Sequence, residues 1–200
     1  MRIKSHWFRE GAPRSPEEIA GGAAFIAWRI AQNALKMMRS AHYELAPGPQ
    51  YFAFVSEFLV FLTLGADRIA HARGDEAWRV AFTTAMANRA GEILAENEAS
   101  LLGAAEPADI KRRFIALVNA CAAECAGFDW TDTGPSYDFL RYTGHRVADV
   151  MDAHDRTWAI SQVIEVEAPN AADTLHRGLD GLLGVTPSPK RGAARAAAGE

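Results

Sequence analysis

The sequence predicts an all-α protein, a single-domain helical bundle of five to six helices with antiparallel neighbours and a flexible C-terminal tail. Apolar residues recur at helical spacing along most of the chain, and capping residues stand at the starts of several of these stretches. The sequence shows no repeat and no convincing strand pattern, apart from a brief extended N-terminus. With 200 residues, 49% of them hydrophobic, the chain is long enough to bury one sizeable core.

The first predicted helix covers residues 16–45. Ser15 is a good N-cap, Pro16 suits the first helical position, and two glutamates follow in the first turn. Apolar residues then recur at helical spacing, which predicts a buried stripe made of Ile19, Ala23, Ile26, Ile30, Ala34, Met37 and Ala41. Gly21 and Gly22 each cost about 1 kcal/mol relative to alanine, which indicates a close helix crossing at their level.

The next three predicted helices cover residues 50–73, 76–102 and 107–126. The segment "APGPQ" breaks the chain before the second helix. Gly74 can cap the end of the second helix, and Asp75 can cap the start of the third. Because only these two residues separate them, the second and third helices should form a tight antiparallel hairpin.

The loop "GFDWTDTGPS" leads into a fifth predicted helix, residues 137–166. Pro169 should end that part of the chain, and Asn170 can cap a short sixth helix that ends near "GLLG". We expect the first, second, third and fifth helices to form the main core, with the fourth and sixth packed around it.

The folded domain is predicted to span residues 1–184, beginning with an irregular segment at residues 1–14. The remaining stretch, residues 185–200, reads "VTPSPKRGAARAAAGE" and is poor in bulky apolar side chains. Such a composition cannot bury enough apolar surface to offset the entropy lost on ordering, so it predicts a disordered tail.

Composition and charge exclude several classes of protein. The net charge is −4 with acidic and basic residues interspersed, so no extended positive surface is available for a nucleic acid. The apolar run at residues 51–64 is shorter than the roughly 20 residues that span a bilayer. The N-terminus lacks the apolar stretch of a secretory signal. Cys121 and Cys125 lie four apart, too far for an unstrained disulfide on a helix, so we expect reduced thiols in the cytoplasm.

Common catalytic and cofactor motifs are missing from the sequence. No Glu-x-x-His occurs, which argues against the ferritin-like di-iron site of helical bundles. The chain also lacks a glycine-rich phosphate loop, a dinucleotide fingerprint and a nucleophile elbow. We therefore predict no cofactor.

The candidate catalytic or metal-binding residues are the inward-facing polar groups Glu57, Asp67, His71 and His154. Glu57 interrupts the apolar run at residues 51–64, and His71 lies within about 40° of its direction around the same helix. His154 shares a predicted apolar stripe with Met151, which directs it inward. Glu57, His71 and His154 are the catalytic candidates, and all four are candidate metal ligands. The alternative is that they are hydrogen-bonded groups of the core or its boundary.

Glu57 is also predicted to form a structural ion pair with Arg89. Glu57 lies seventeen residues before Gly74, and Glu92 lies seventeen residues after Asp75, so the hairpin brings their levels together. Arg89 is one turn away, and helical phase places it on the apolar stripe of its helix. Each buried charge would then neutralise the other.

Two hypotheses about function follow from the sequence. The first is a non-enzymatic homo-oligomeric or protein-interaction module, because the apolar surface of the second helix exceeds what one neighbouring helix can cover. The second is a ligand- or metal-dependent bundle enzyme that uses Glu57, His71 and His154.

Overall fold

The computed structural model describes residues 14–131 and 133–184. The predicted disordered tail and nearly all of the predicted irregular N-terminal segment lie outside these residues. The helices and strands in chain order are α1 (Pro16–Ser40), α2 (Pro49–His71), α3 (Glu76–Leu102), α4 (Pro107–Glu124), β1 (Trp130–Thr131), β2 (Gly134–Pro135), α5 (Tyr137–Asp149), α6 (Arg156–Gln162), a π-helical turn (Val163–Glu167) and α7 (Ala168–Leu183). The all-α helical bundle predicted from the sequence is confirmed.

Capping residues set the start of α1 as the sequence predicts. The Ser15 hydroxyl accepts a hydrogen bond from the backbone N–H of Glu18, and the Glu18 carboxylate accepts one from the backbone N–H of Ser15. The end of α1 differs from the prediction, since the helix stops at Ser40 rather than near residue 45. His42 adopts a positive φ of 68°, which turns the chain out of the helix.

The predicted hairpin between α2 and α3 is present. The Asp75 side chain accepts a hydrogen bond from the backbone N–H of Trp78 at 2.8 Å, which caps α3 as expected. At the other end of the hairpin Leu102 lies beside Gly48, which immediately precedes α2. These two ends of the hairpin fix which residues of α2 and α3 lie at the same height along the helix axes.

Helix α2 is the central helix of the bundle. It contacts α1, α3, α4, α5 and α7, and among its buried residues only Glu57 and Thr63 have polar side chains. The apolar surface of α2 is therefore covered within a single chain. It does not support the self-association that the sequence suggested.

The second half of the chain departs from the single fifth helix predicted at residues 137–166. Helix α5 ends at Asp149, and the chain turns before α6 begins at Arg156. Contacts with the segment after α1 and with the start of α2 hold this break. The Asp155 carboxylate accepts from the backbone N–H of Glu44 at 2.7 Å, and the Gln50 side chain donates to the carbonyl of Val150.

The prediction that Pro169 ends a helix is wrong, because α6, the π-helical turn and α7 form one continuous helix. In the π turn the N–H of Ala168 donates to the carbonyl of Val163, five residues earlier. Pro169 has no backbone N–H and follows directly after this wider turn. We attribute the tolerance of a proline inside the helix to the wider spacing. Asn170 therefore lies inside α7 rather than at its cap.

A small antiparallel sheet occupies the loop between α4 and α5, where no strand was predicted. Trp130 pairs with Pro135 across it. The indole of Trp130 packs against Phe61 and Phe139, with ring centroids 5.8 Å apart in each case. Its far edge covers Gly65 of α2, so the sheet closes one side of the core.

The described helices are all too short or too polar to cross a bilayer. The two cysteines of α4 and its C-cap, Cys121 and Cys125, are buried and not joined in a disulfide, as expected. Burial raises the pKa of Cys125 to about 12. Such a thiol is protonated at neutral pH and is a poor nucleophile.

Candidate functional site

The partner of Glu57 is Arg146 of α5. Nε of Arg146 donates to Oε2 of Glu57 at 2.9 Å, and Nη2 donates to Oε1 at 2.7 Å, which is a two-pronged ion pair. These hydrogen bonds raise the pKa of Arg146 above its usual range against the opposing effect of burial. The carboxylate is therefore neutralised by a buried ion pair, as the sequence suggested, but with a different cation.

The predicted pair between Glu57 and Arg89 is wrong. Arg89 is 47% exposed and bonds to Glu92 on the surface of α3. The hairpin sets the height of each residue along α3, but it does not decide which neighbour covers the face of α2 that carries Glu57. Helix α5 covers that face, and its Arg146 lies 89 residues from Glu57 in sequence.

The other predicted site residues do not join Glu57. Asp67 is bonded by Arg79 at 2.9 and 2.8 Å and by the hydroxyl of Thr83 at 2.8 Å. Burial acts to raise the pKa of Asp67, but these hydrogen bonds outweigh it and lower the pKa. His71 is exposed at the end of α2, about 21 Å along the helix from Glu57.

His154 is exposed rather than inward, which corrects the sequence-based assignment. It lies in the break between α5 and α6, where helical phase no longer applies, with Nε2 3.4 Å from Oδ1 of Asp155 and 3.9 Å from Oε2 of Glu44. Within residues 14–131 and 133–184, no group of three or more His, Cys, Asp or Glu side chains is placed to hold a metal ion. The proposed catalytic and metal-binding set therefore does not form one site.

Glu57 instead lines a cleft of about 520 Å³ between α2, α3 and α4. The walls of this cleft, called the α2–α4 cleft below, are mainly apolar. They include the buried side chains of Phe52, Leu94 and Phe114. A second carboxylate, that of Glu98 on α3, lines the same cleft.

One carboxylate oxygen of Glu98 has no hydrogen-bond donor among the described residues. Oε1 accepts from Nη2 of Arg113 at 2.6 Å, but Oε2 is buried and has no hydrogen-bond partner among the described residues. A buried carboxylate oxygen without a donor costs roughly 1–3 kcal/mol or more. An unsatisfied atom of this kind, in a residue that lines a cleft, indicates a missing donor.

The two carboxylates occupy different levels of the α2–α4 cleft. Because Leu102 meets Gly48, Glu98 lies near the level of Phe52, and Glu57 lies about 8 Å further along α2. Sequence reasoning missed Glu98, although a signal was present. Glu98 follows Leu94 by four residues, which places it on the buried face of α3.

The protein has no detected relative in three kinds of comparison with known proteins. A scan against protein-family models, a search of curated proteins and a search of solved structures each found no match. The site must therefore be interpreted from its own geometry.

Proposed function

We propose that the protein is a non-enzymatic binding protein whose ligand is a small organic amine with an apolar body. The observation that carries this proposal is the unpartnered, buried Oε2 of Glu98, a residue that lines the α2–α4 cleft. A protonated amine provides the missing hydrogen-bond donor, and its charge complements the carboxylate.

The rest of the α2–α4 cleft supports the same ligand. Its volume of about 520 Å³ falls within the range of roughly 300–1,000 Å³ that is common for ligand sites. Phe52, Leu94 and Phe114 are buried side chains that can surround an apolar chain. Arg113, 64% exposed beside Glu98, offsets part of the carboxylate charge from the solvent side.

The test is the binding of n-hexylamine measured by titration calorimetry. We expect Glu98→Gln to weaken binding roughly 10- to 100-fold, because it removes a hydrogen bond to a charged group. The neutral analogue 1-hexanol should bind more weakly than the amine to the wild type, and the affinities of the two should converge in the variant.

Glu96→Gln is the matched control, since Glu96 is exposed two residues earlier on the same helix. It should change the affinity for n-hexylamine less than twofold. Equal loss in Glu96→Gln and Glu98→Gln would show a general charge effect, and no binding of n-hexylamine by the wild type would contradict the proposal.

Self-association and protein interaction form a second proposal. Its motivation is the exposure of single large side chains rather than the surface of α2: Trp158 is 70% exposed, Leu101 72% and Tyr137 65%. We also propose a cytoplasmic location, because the free thiols of Cys121 and Cys125 would stay reduced there.

Light scattering at micromolar protein concentration tests self-association. A homo-oligomer should have at least twice the chain mass of 21.7 kDa. Trp158→Ser should shift the assembly toward monomer if this indole lies in the contact. The mass of a single chain in the wild type would contradict the prediction.

A further inference from the structure

A second cleft, of about 370 Å³, runs between α1 and α7. It is called the α1–α7 cleft below. The two helices are antiparallel. Arg14, just before α1, donates to the carbonyl of Leu182 near the end of α7, whereas Tyr43, just beyond α1, donates to the carbonyl of Trp158 in α6, which leads into α7. The α1–α7 cleft belongs to different helices from the amine site, and its properties do not depend on that proposal.

Glu167 lies in the floor of this cleft and is only 4% exposed. It is the last residue of the π-helical turn, a local geometry that occurs frequently at functional sites. Oε1 accepts from Nε2 of Gln162 at 3.0 Å, while Oε2 receives no hydrogen bond from the described residues. No arginine or lysine of the described residues forms an ion pair with Glu167, in contrast to Glu57 and Glu98.

Further oxygen acceptors line the same cleft. Asn170 follows Glu167 by three residues and Thr174 follows Asn170 by four, so the three share one face of the π-helical turn and α7. Thr174 already donates its hydroxyl proton to the carbonyl of Asn170 at 2.8 Å, which leaves its oxygen free to accept. Asn33 of α1 contributes a second side-chain amide from the opposite wall.

We propose that the α1–α7 cleft binds the guanidinium group of a small organic cation. A guanidinium carries five N–H donors in one plane, which suits a carboxylate accompanied by amide and hydroxyl oxygens better than the three donors of an ammonium do. Its weakly hydrated faces can rest on the apolar side chains of Ile30 and Ala34 in the same cleft.

Binding should be accompanied by release of a proton from Glu167. Burial raises the pKa of Glu167, outweighing the hydrogen bond from Gln162, so this carboxyl takes up a proton at a higher pH than an exposed glutamate does. A cation favours the ionised form, and the proton passes to the buffer. The charged or titratable groups near the cleft are Arg29, which lines it, and Tyr43 after α1, which is itself influenced by Asp155 as well as by Glu167.

The test is titration calorimetry with ethylguanidine at mildly acidic pH, in two buffers of equal pH and different ionisation enthalpy. We expect the wild type to bind ethylguanidine at least tenfold more tightly than the uncharged analogue N-ethylurea, with a heat that depends on the buffer. Glu167→Gln should weaken ethylguanidine binding at least tenfold and abolish the buffer dependence.

Glu165→Gln is the matched control, because Glu165 is exposed in the same π-helical turn. It and Glu98→Gln should each leave the affinity for ethylguanidine within twofold of the wild type. Should Glu167→Gln fail to fold, Asn170→Ala, at an exposed position of the cleft, decides instead and should weaken binding at least threefold. Equal affinity for N-ethylurea, unchanged binding in both cleft variants, or no binding by the wild type would overturn the proposal.

Discussion

Arg146→Met is expected to lower the free energy of unfolding by about 3 kcal/mol, near the lower end of the range for breaking a buried ion pair from one side. The substitution leaves Glu57, whose side chain is 10% exposed, without the guanidinium that bonds both of its oxygens. Arg146 is 32% exposed, so water can enter and relieve part of the cost. Urea denaturation at neutral pH measures the loss.

Two further variants separate this pair from a general effect of lost charge. Arg89→Met should change the free energy of unfolding by less than about 1 kcal/mol, because Arg89 forms only a surface pair. The double change Glu57→Leu with Arg146→Met should recover much of the loss, since it leaves no buried charge unpaired. If Arg89→Met costs as much as Arg146→Met, the assignment of Arg146 as the partner of Glu57 is incorrect.

Gly65→Ala is expected to destabilise the protein by about 1–3 kcal/mol, the usual cost of overpacking a core. A Cβ placed on Gly65 would lie 2.5 Å from Cη2 of Trp130, which is closer than real contacts allow. The indole cannot easily withdraw, because Phe61 and Phe139 pack against it. Thermal and urea unfolding should both show the loss.

Gly21→Ala in α1 is expected to stabilise the protein, in contrast to Gly65→Ala. A Cβ at Gly21 would meet no atom within 4 Å, so the close helix crossing expected at that glycine from the sequence is not found there. Alanine should then stabilise the helix by up to about 1 kcal/mol. If Gly65→Ala were as stabilising as Gly21→Ala, the contact between α2 and Trp130 would be refuted.

Local chemistry in the sequence by itself determined where most helices begin. Ser15 with Glu18 starts α1, and Asp75 starts α3, because each cap joins a side chain to a backbone group three residues away. The continuous apolar run at residues 51–64 likewise identified α2 as a buried helix, since an apolar surface on all sides requires burial wherever the neighbours lie. These features depend on short separations along the chain.

The tertiary structure alone decided which groups meet across long separations. The packing of α5 on α2 gave Glu57 its partner Arg146, and hydrogen bonds from a distant loop accompany the break after Asp149. Periodicity reports which side of a helix is buried, but not which helix covers it or at what rotation. For the same reason the two clefts, with Glu98 and Glu167 in their walls, were not predicted. Each cleft forms where two or three helices fail to close fully on one another, a property of their arrangement rather than of any single stretch of sequence.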